Sequence, residues 1–271
     1  MTINAADERF LSDAARYAAY LETPEGRLRL DIAFANLQEF VPQASGRLRV
    51  LDLGGGTGNL GLRHARLGHQ VTLLDASQDM LELAQRAAET AGVHDRVALR
   101  LGDATQIGKL FDADSFDVIL CHNVLEFVED PSATLRSAAR VLRSSCGIFS
   151  VLVRNQAGEV LKAALVNGDL NEAEQTLATS WGNESLYGGK VRLFTAMTLR
   201  TILENSSFAV AAERGVRVFS DYLPAKVSRT AEYERIFQLE RKLGALREFA
   251  AVARYTHYIA RRKGPLIENS I

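Results

Sequence analysis

The residues with the clearest chemical meaning lie in Val50-Leu51-Asp52-Leu53-Gly54-Gly55-Gly56-Thr57-Gly58, an apolar run holding one carboxylate and followed by glycines. Glycines allow positive φ and let a ligand approach a backbone that carries no Cβ. At the carboxyl end of a strand, where open α/β sheets bind ligands, such a loop reads as a site for a nucleoside cofactor. Two spacings compete. Gly56-x-Gly58-x-x-Gly61 satisfies the dinucleotide pattern, but in that pattern the first glycine makes the turn directly after the strand. Here the strand ends at Leu53, Gly54 opens the turn, and the third glycine position counted from Gly54 is Asn59. The spacing acidic-x-Gly-x-Gly-x-Gly, with Asp52 two residues before Gly54, fits better.

That spacing resembles motif I of the class I S-adenosylmethionine-dependent methyltransferases. A pyrophosphate favours the positive end of a helix, whereas the methionine part of S-adenosylmethionine carries an ammonium that a carboxylate holds directly or through water. Asp52 is therefore a candidate methionine-end anchor, beside Gly54, Gly55, Gly56 and Gly58. A second apolar strand over 69–74 ends in Asp75-Ala76, and a carboxylate there accepts both ribose hydroxyls in many nucleoside-binding folds. Asp75 could instead cap a helix, although Ser77, ahead of a helix over 80–91, is placed to do so.

These residues require a framework of alternating strands and helices. A third strand over 96–101 leads into Gly102-Asp103-Ala104, which fits the family position where an acidic side chain and a backbone amide meet adenine. A fourth, over 116–121 with Asp117 at its start, runs into His122-Asn123-Val124-Leu125-Glu126; a helix over 133–142, a turn over 144–147 and a fifth strand over 148–153 follow. Such alternation means a parallel sheet with helices on both faces. A helix over 196–205, a strand from 208 through 219, a charged helix near 229–249 and a strand over 255–261 complete a Rossmann-like, seven-stranded, mostly parallel sheet whose last strand is antiparallel, as the methyltransferase resemblance implies.

One domain is expected, with two additions. Helices over 7–21 and 26–41 form an N-terminal cap, the second with an apolar stripe of Leu30, Phe34, Leu37 and Val41. Arg29 lies one position off that stripe, placed either to enter the pocket or to pair with Glu25. An insertion over 155–190, helical at 156–166 and 170–179 and loop-like through Trp181-Gly182-Asn183 and Gly188-Gly189, would stand above the strand ends as an acceptor lid. The tail over 264–271 is expected to fray.

Composition narrows the function. With 271 residues, 47% of them hydrophobic, the chain is of globular type; it has no run of about 18 apolar residues and no apolar signal core at its start, so a cytoplasmic protein is expected. Cys121 and Cys146 suggest buried thiols in a reducing compartment. His64, His69, His94, His122 and His257 are too scattered for a metal site. A net charge of −1 argues against coating nucleic acid by bulk charge. The arginines at Arg27 and Arg29, Arg192 and Arg200, Arg214 and Arg217, and Arg254, Arg261 and Arg262 read as solvated faces unless they converge in space.

A narrower resemblance rests on Leu-Asp-x-Gly-Gly-Gly-x-Gly at 51–58, Gly-His-Gln-Val at 68–71, His-x-Val-Leu-Glu-Phe-Val-x-Asp-Pro at 122–131 and Gly-Val-Arg-Val-Phe-x-Asp-Tyr-Leu at 215–223. Together these are similar to the bacterial tRNA 5-carboxymethoxyuridine methyltransferases over most of 15–262. The resemblance implies cofactor contacts from Arg29, Gly54, Gly55, Asp75, Asp103, Ala104 and His122, an acceptor near Arg217 and Tyr222, and esterification of a wobble-uridine carboxylate in tRNA. A carboxylate with a pKa near 4 is already a nucleophile at neutral pH, so no general base and no catalytic proton carrier is required. Arg217 would orient it by a bidentate contact. The insertion carries Asp169, Glu172, Glu174 and Glu184 against Lys190, and a small carboxylic acid, phenol or quinone precursor is the competing acceptor. A cofactor-binding protein without transfer activity is the third reading.

Overall fold

The computed structural model describes residues 14–41, 46–144, 146–184, 186 and 188–264. The expected helix start at residue 7 and the tail beyond Gly264 lie outside them. Along the chain run α1 (Ala14–Glu22), α2 (Pro24–Gln38), β1 (Arg49–Leu53), α3 (Asn59–Arg66), β2 (Gln70–Asp75), α4 (Gln78–Thr90), β3 (Val97–Leu101), α5 (Ile107–Leu110), β4 (Val118–His122), α6 (Pro131–Val141) and β5 (Ile148–Arg154). Then come α7 (Gln156–Leu165), α8 (Leu170–Ala178), β6 (Trp181–Asn183), β7 (Lys190–Arg192), α9 (Ala196–Asn205), β8 (Phe208–Val216), α10 (Tyr233–Gly244), α11 (Arg247–Ala250) and β9 (Tyr255–Arg262).

Seven strands form one sheet in the order β3-β2-β1-β4-β5-β9-β8. β1 to β5 are parallel, while β9 lies antiparallel between β5 and β8. The central strands are buried on both faces, which explains their near-continuous apolar sequence. Leu51, Leu53, Ile119, Phe149 and Val151 pack with Leu135 and Ala138 of α6 and Leu199 and Leu203 of α9. On the other face Val50, Val118, Leu120 and Ile148 meet Leu37 of α2 and Leu60, Leu62 and Ala65 of α3.

Helix starts follow side-chain caps that satisfy otherwise orphaned N–H groups. Thr23 accepts from Gly26 N ahead of Pro24, Ser77 from Met80 N, and Asp130 from Ala133 N ahead of Pro131. Several expected boundaries move as a result: α4 starts at Gln78 and α6 at Pro131, because the chain turns helical at its cap rather than at the first apolar residue. The fourth strand begins at Val118, since Asp117 is held outside it as an acceptor for Arg49 N at 2.8 Å. The charged segment near 229–249 is two helices, α10 and α11, and β8 stops at Val216 because Arg217 has a φ of 61°.

Three further expectations are corrected. Trp181-Gly182-Asn183 is not loop but one strand of an antiparallel ladder, Trp181 opposite Arg192 and Asn183 opposite Lys190, while Gly188-Gly189 lies outside both strands as expected. In α2 the buried positions are Gly26, Leu28, Arg29, Ile32, Ala33, Asn36 and Leu37, while Leu30 and Phe34 are half-buried. The helix touches α1, α3, α10 and β8 at once, so a single stripe does not describe what it buries. Cys121 is buried as expected, but Cys146 is exposed, because it lies in the turn ahead of β5. Among the described residues no helix is long and apolar enough to cross a membrane, and no group of His, Cys, Asp and Glu is arranged to hold a metal ion.

Candidate active site

Parallel strands deliver their carboxyl ends to one edge of the sheet, and a cleft lies there. Tyr17, Arg29, Gly54, Asp75, Met80, His122, Asn123, Arg154 and Glu184 are among its lining residues, with Asp52, Gly55 and Asn59 on its inner side. The glycine loop is shaped by contacts that exclude side chains. Gly54, Gly56 and Gly58 have φ of 63°, 54° and 79°. A Cβ at Gly55 would lie 2.8 Å from Cγ of Asp52 and of Leu73, and one at Gly61 would lie 2.8 Å from Asp52 Oδ2. Backbone thus passes directly over the Asp52 carboxylate, which accepts from Gly61 N at 2.9 Å. Burial, with the nearby Asp75 adding to it, pushes Asp52 up to about 7 despite that hydrogen bond.

Asp75 ends β2 and binds two backbone amides, Gly56 N with Oδ2 at 2.8 Å and Ser77 N with Oδ1 at 2.9 Å. It braces the glycine loop while bordering the cleft; Ser77 makes the cap of α4, so the capping alternative for Asp75 is not needed. Burial raises Asp75 above its ordinary value, opposed by these amides. Gly102 N donates to Asp75 O, setting β3 beside β2, and the exposed Asp103 accepts from Thr105 N at 2.6 Å. Asp103, Ala104 and the exposed Ala76 are not among the described lining residues of the cleft.

At the end of β4, His122 Nε2 meets Ser150 Oγ at 2.8 Å, and the same hydroxyl meets His257 Nε2 at 2.8 Å. Asn36 contacts His257 Nδ1 at 3.4 Å, so a polar chain runs from the cleft into the core. Burial, the second imidazole and Arg29 hold His122 well below its ordinary value, and burial brings His257 down to about 3; both rings are neutral.

Arg29 is not a surface residue paired with Glu25. Glu25 pairs with Arg229, and Arg29 is buried, its Nη1 donating to Asn123 Oδ1 at 2.8 Å and its Nη2 to Tyr17 OH at 3.0 Å. Asn123 itself has a φ of 55° and donates to Glu126. Such strained backbone persists where surrounding structure over-determines it.

Arg29 belongs to a convergence that overturns the solvated-face reading for Arg29, Arg217 and Arg254, whereas Arg27 and Arg261 are exposed as expected. Arg154 at the end of β5 stands opposite Tyr255 at the start of β9, and Tyr255 stands opposite Val216, the residue before Arg217. The antiparallel β9 therefore brings Arg154, Arg217 and Arg254 to the edge that carries the cleft. Burial alone would raise the Tyr255 hydroxyl, but Arg29, Arg217, Arg154 and Arg254 bring it down to about 8. The turn that places Arg217 is tied by buried Glu240 of α10, which accepts from Val218, Phe219 and Ser220 N.

Arg217 does not offer a free fork to an acceptor. Its Nε and Nη2 both donate to Asp221 Oδ1 and its Nη1 to Tyr20 OH. Tyr222 OH makes a long contact to Gly158 O at 3.5 Å, and neither residue is among the described lining residues of the cleft. Arg154 does, bonded to Glu184 from the loop that joins β6 to β7. Tyr17, Asn123, Arg154, Glu184 and Tyr255 were missed by the sequence reading; the signal for Arg154 was its place as the charged end of an apolar strand.

Comparison with known proteins decides the class. Residues 44–205 match the family described as Methyltransferase domain. The chain is 32% identical over 252 residues to the tRNA 5-carboxymethoxyuridine methyltransferase of Escherichia coli (strain K12), covering 89% of this chain and 90% of that protein. The chain belongs to the methyltransferase family. It is an S-adenosylmethionine-dependent methyltransferase. A ubiquinone biosynthesis O-methyltransferase of Xanthomonas axonopodis is 36% identical, but over 42% of this chain and 46% of its own. The methyltransferase fold recurs in a solved S-adenosylmethionine-dependent methyltransferase of Thermotoga maritima, titled a possible histamine N-methyltransferase, with a TM-score of 0.60, 16% identity and coverage of 95% of this chain and all of that one.

Proposed function

We propose that this methyltransferase, acting in the cytoplasm, esterifies the carboxylate of 5-carboxymethoxyuridine at the tRNA wobble position. The observation that carries the reading is the buried guanidinium cluster at one end of the cleft, which suits an anionic acceptor. The near full-length similarity to a protein named for that tRNA activity supports it.

The cleft fits the cofactor: glycine backbone that no Cβ could replace, a strand-end carboxylate at Asp75, and a buried carboxyl at Asp52. In this reading Asp75 takes the ribose hydroxyls, Asp52 the ammonium, Arg29 and His122 the methionine end, and Asp103 with Ala104 the adenine. When bound, S-adenosylmethionine supplies a methyl group on a cationic sulfur, and its passage to a carboxylate oxygen turns one cation and one anion into two neutral products. Because charge disappears, exclusion of water assists. Tyr17 and Leu186 help cover the cleft, and no side chain has to accept a proton.

The test is incubation with methyl-labelled cofactor and tRNA carrying 5-carboxymethoxyuridine. Label is expected in the methyl ester of that nucleoside. Cofactor binding without label on that tRNA refutes the reading. A small-molecule carboxylate, phenol or quinone precursor is the second reading, favoured by the exposed Asp169 and Glu174 on an insertion that also exposes Leu165, Leu170 and Leu177, a poor match for phosphate.

A further inference from the structure

We infer that Arg154 reads the acceptor carboxylate and that Glu184 occupies its place until the acceptor arrives; this rests on the proposed carboxylate acceptor. Of the other guanidiniums of the cluster, Arg217 and Arg254 are not among the described lining residues of the cleft, and Arg29 is given to the methionine end of the cofactor. Arg29 holds Asn123 and Tyr17, Arg217 holds Asp221 and Tyr20, and Arg254 holds Glu159 at 2.9 Å while facing Asp221 at 3.5 Å. Arg154 borders the cleft at the end of the rigid β5, its side chain 13% exposed.

Its two carboxylate partners come from different elements. Glu159 lies 3.8 Å away in α7 and is shared with Arg254. Glu184 makes the close contact through Oε2, and its Oε1 accepts from Leu186 N in its own loop. The Glu184 side chain is 1% exposed and borders the same cleft as Asp75, Gly56 and His122. A carboxylate from the insertion is thus inserted among the residues where a carboxylate substrate is needed, against a fork that binds carboxylates bidentately.

Exchange of one carboxylate for another leaves the local charge unchanged. That matters because a buried arginine stripped of its partner is strongly destabilised. Acceptor binding therefore keeps Arg154 paired when Glu184 leaves it. After transfer the acceptor is a neutral ester, it no longer competes for Arg154, and Glu184 returns to expel it. The same contact excludes neutral uridines, which cannot displace a charged side chain.

The experiment measures binding to a synthetic anticodon stem-loop carrying 5-carboxymethoxyuridine and to the same stem-loop carrying its methyl ester, with S-adenosylhomocysteine bound, alongside the KM and kcat for the acid. The wild type is expected to favour the acid. Arg154→Met and Arg154→Lys should each lose at least tenfold in affinity for the acid, with ester and cofactor affinity retained as the control for folding. Glu184→Gln should gain at least threefold in affinity for the acid, with KM falling in step. An active wild type whose Arg154 variants keep the acid preference overturns this inference alone. Weaker binding of the acid to Glu184→Gln also overturns it, since Glu184 would then hold the acceptor. A wild type that neither distinguishes acid from ester nor transfers methyl removes the proposed function, and this inference with it.

Discussion

Asp52 is an ionisable group whose proton leaves near neutrality, in a position where the proposed cofactor brings a positive charge. Its raised value of about 7 means that the free protein holds it protonated below that pH. An ammonium beside it favours the ionised form, so binding releases a proton and affinity climbs with pH until about 7, then levels. From pH 5.5 to 7.5 the Kd for S-adenosylmethionine should fall by up to about 25-fold, whereas Asp52→Asn should give a flat profile by calorimetry. A flat wild-type profile would remove the ammonium role. His64 presents the opposite situation: it is fully buried, and neither ring nitrogen has a hydrogen-bond partner among the described residues. His64→Leu should therefore stabilise the protein by about 1 kcal/mol, read as a higher urea midpoint. The glycines, Asp52 and Asp75 were legible because their spacing reports a backbone shape. Arg154 and Glu184 were not, because residues 30 positions apart become partners only through the path of the insertion.

At the level of elements, the acceptor side depends on how tightly α7 sits against the start of β9. A Cβ at Gly158 would meet Ala253 O at 2.3 Å and Arg254 Cα at 2.7 Å, and Asn155 Nδ2 donates to Ala251 O and Ala253 O beside it. Gly158→Ala should push α7 away from Arg254, with a cost of about 1–3 kcal/mol. Methyl transfer should drop while cofactor affinity stays within about twofold, a size set by a cleft whose glycine loop that helix does not touch. Loss of both together would refute this division of labour. The strands and α9 were predictable from alternating composition and caps. The β6–β7 ladder was not, since three-residue strands rich in glycine and charge carry no periodic signal.

For the molecule as a whole, buried neutral histidines set the acid limit. His64 and His257 are held down to about 3 by burial, with His69 adding to the effect at His64. The unfolded chain takes up protons below about 6.5 while the native state does not, so their contribution is complete above that pH and is lost as pH falls towards 3. From pH 7.5 to 5.5 the pair loses about 3 kcal/mol. Asp52 acts in the other direction, since a raised carboxyl gains a proton on folding, and returns about 2 kcal/mol in the same interval. Over this interval urea unfolding should show a loss about 2 kcal/mol larger in Asp52→Asn than in the wild type. Equal pH sensitivity in the two proteins would contradict this.

Strand order has a consequence for synthesis. β8 hydrogen-bonds to β9 within the sheet, and β9 also seals the outer edge of β5, yet among the described strands β9 is the last to be synthesised. Until it emerges, the nascent chain leaves the outer edge of β5 open and β8 without a partner strand, and open edges recruit other chains. A premature stop ahead of Tyr255 should therefore yield aggregates for the cell's quality-control machinery to clear, rather than a soluble protein that merely lacks its acceptor side.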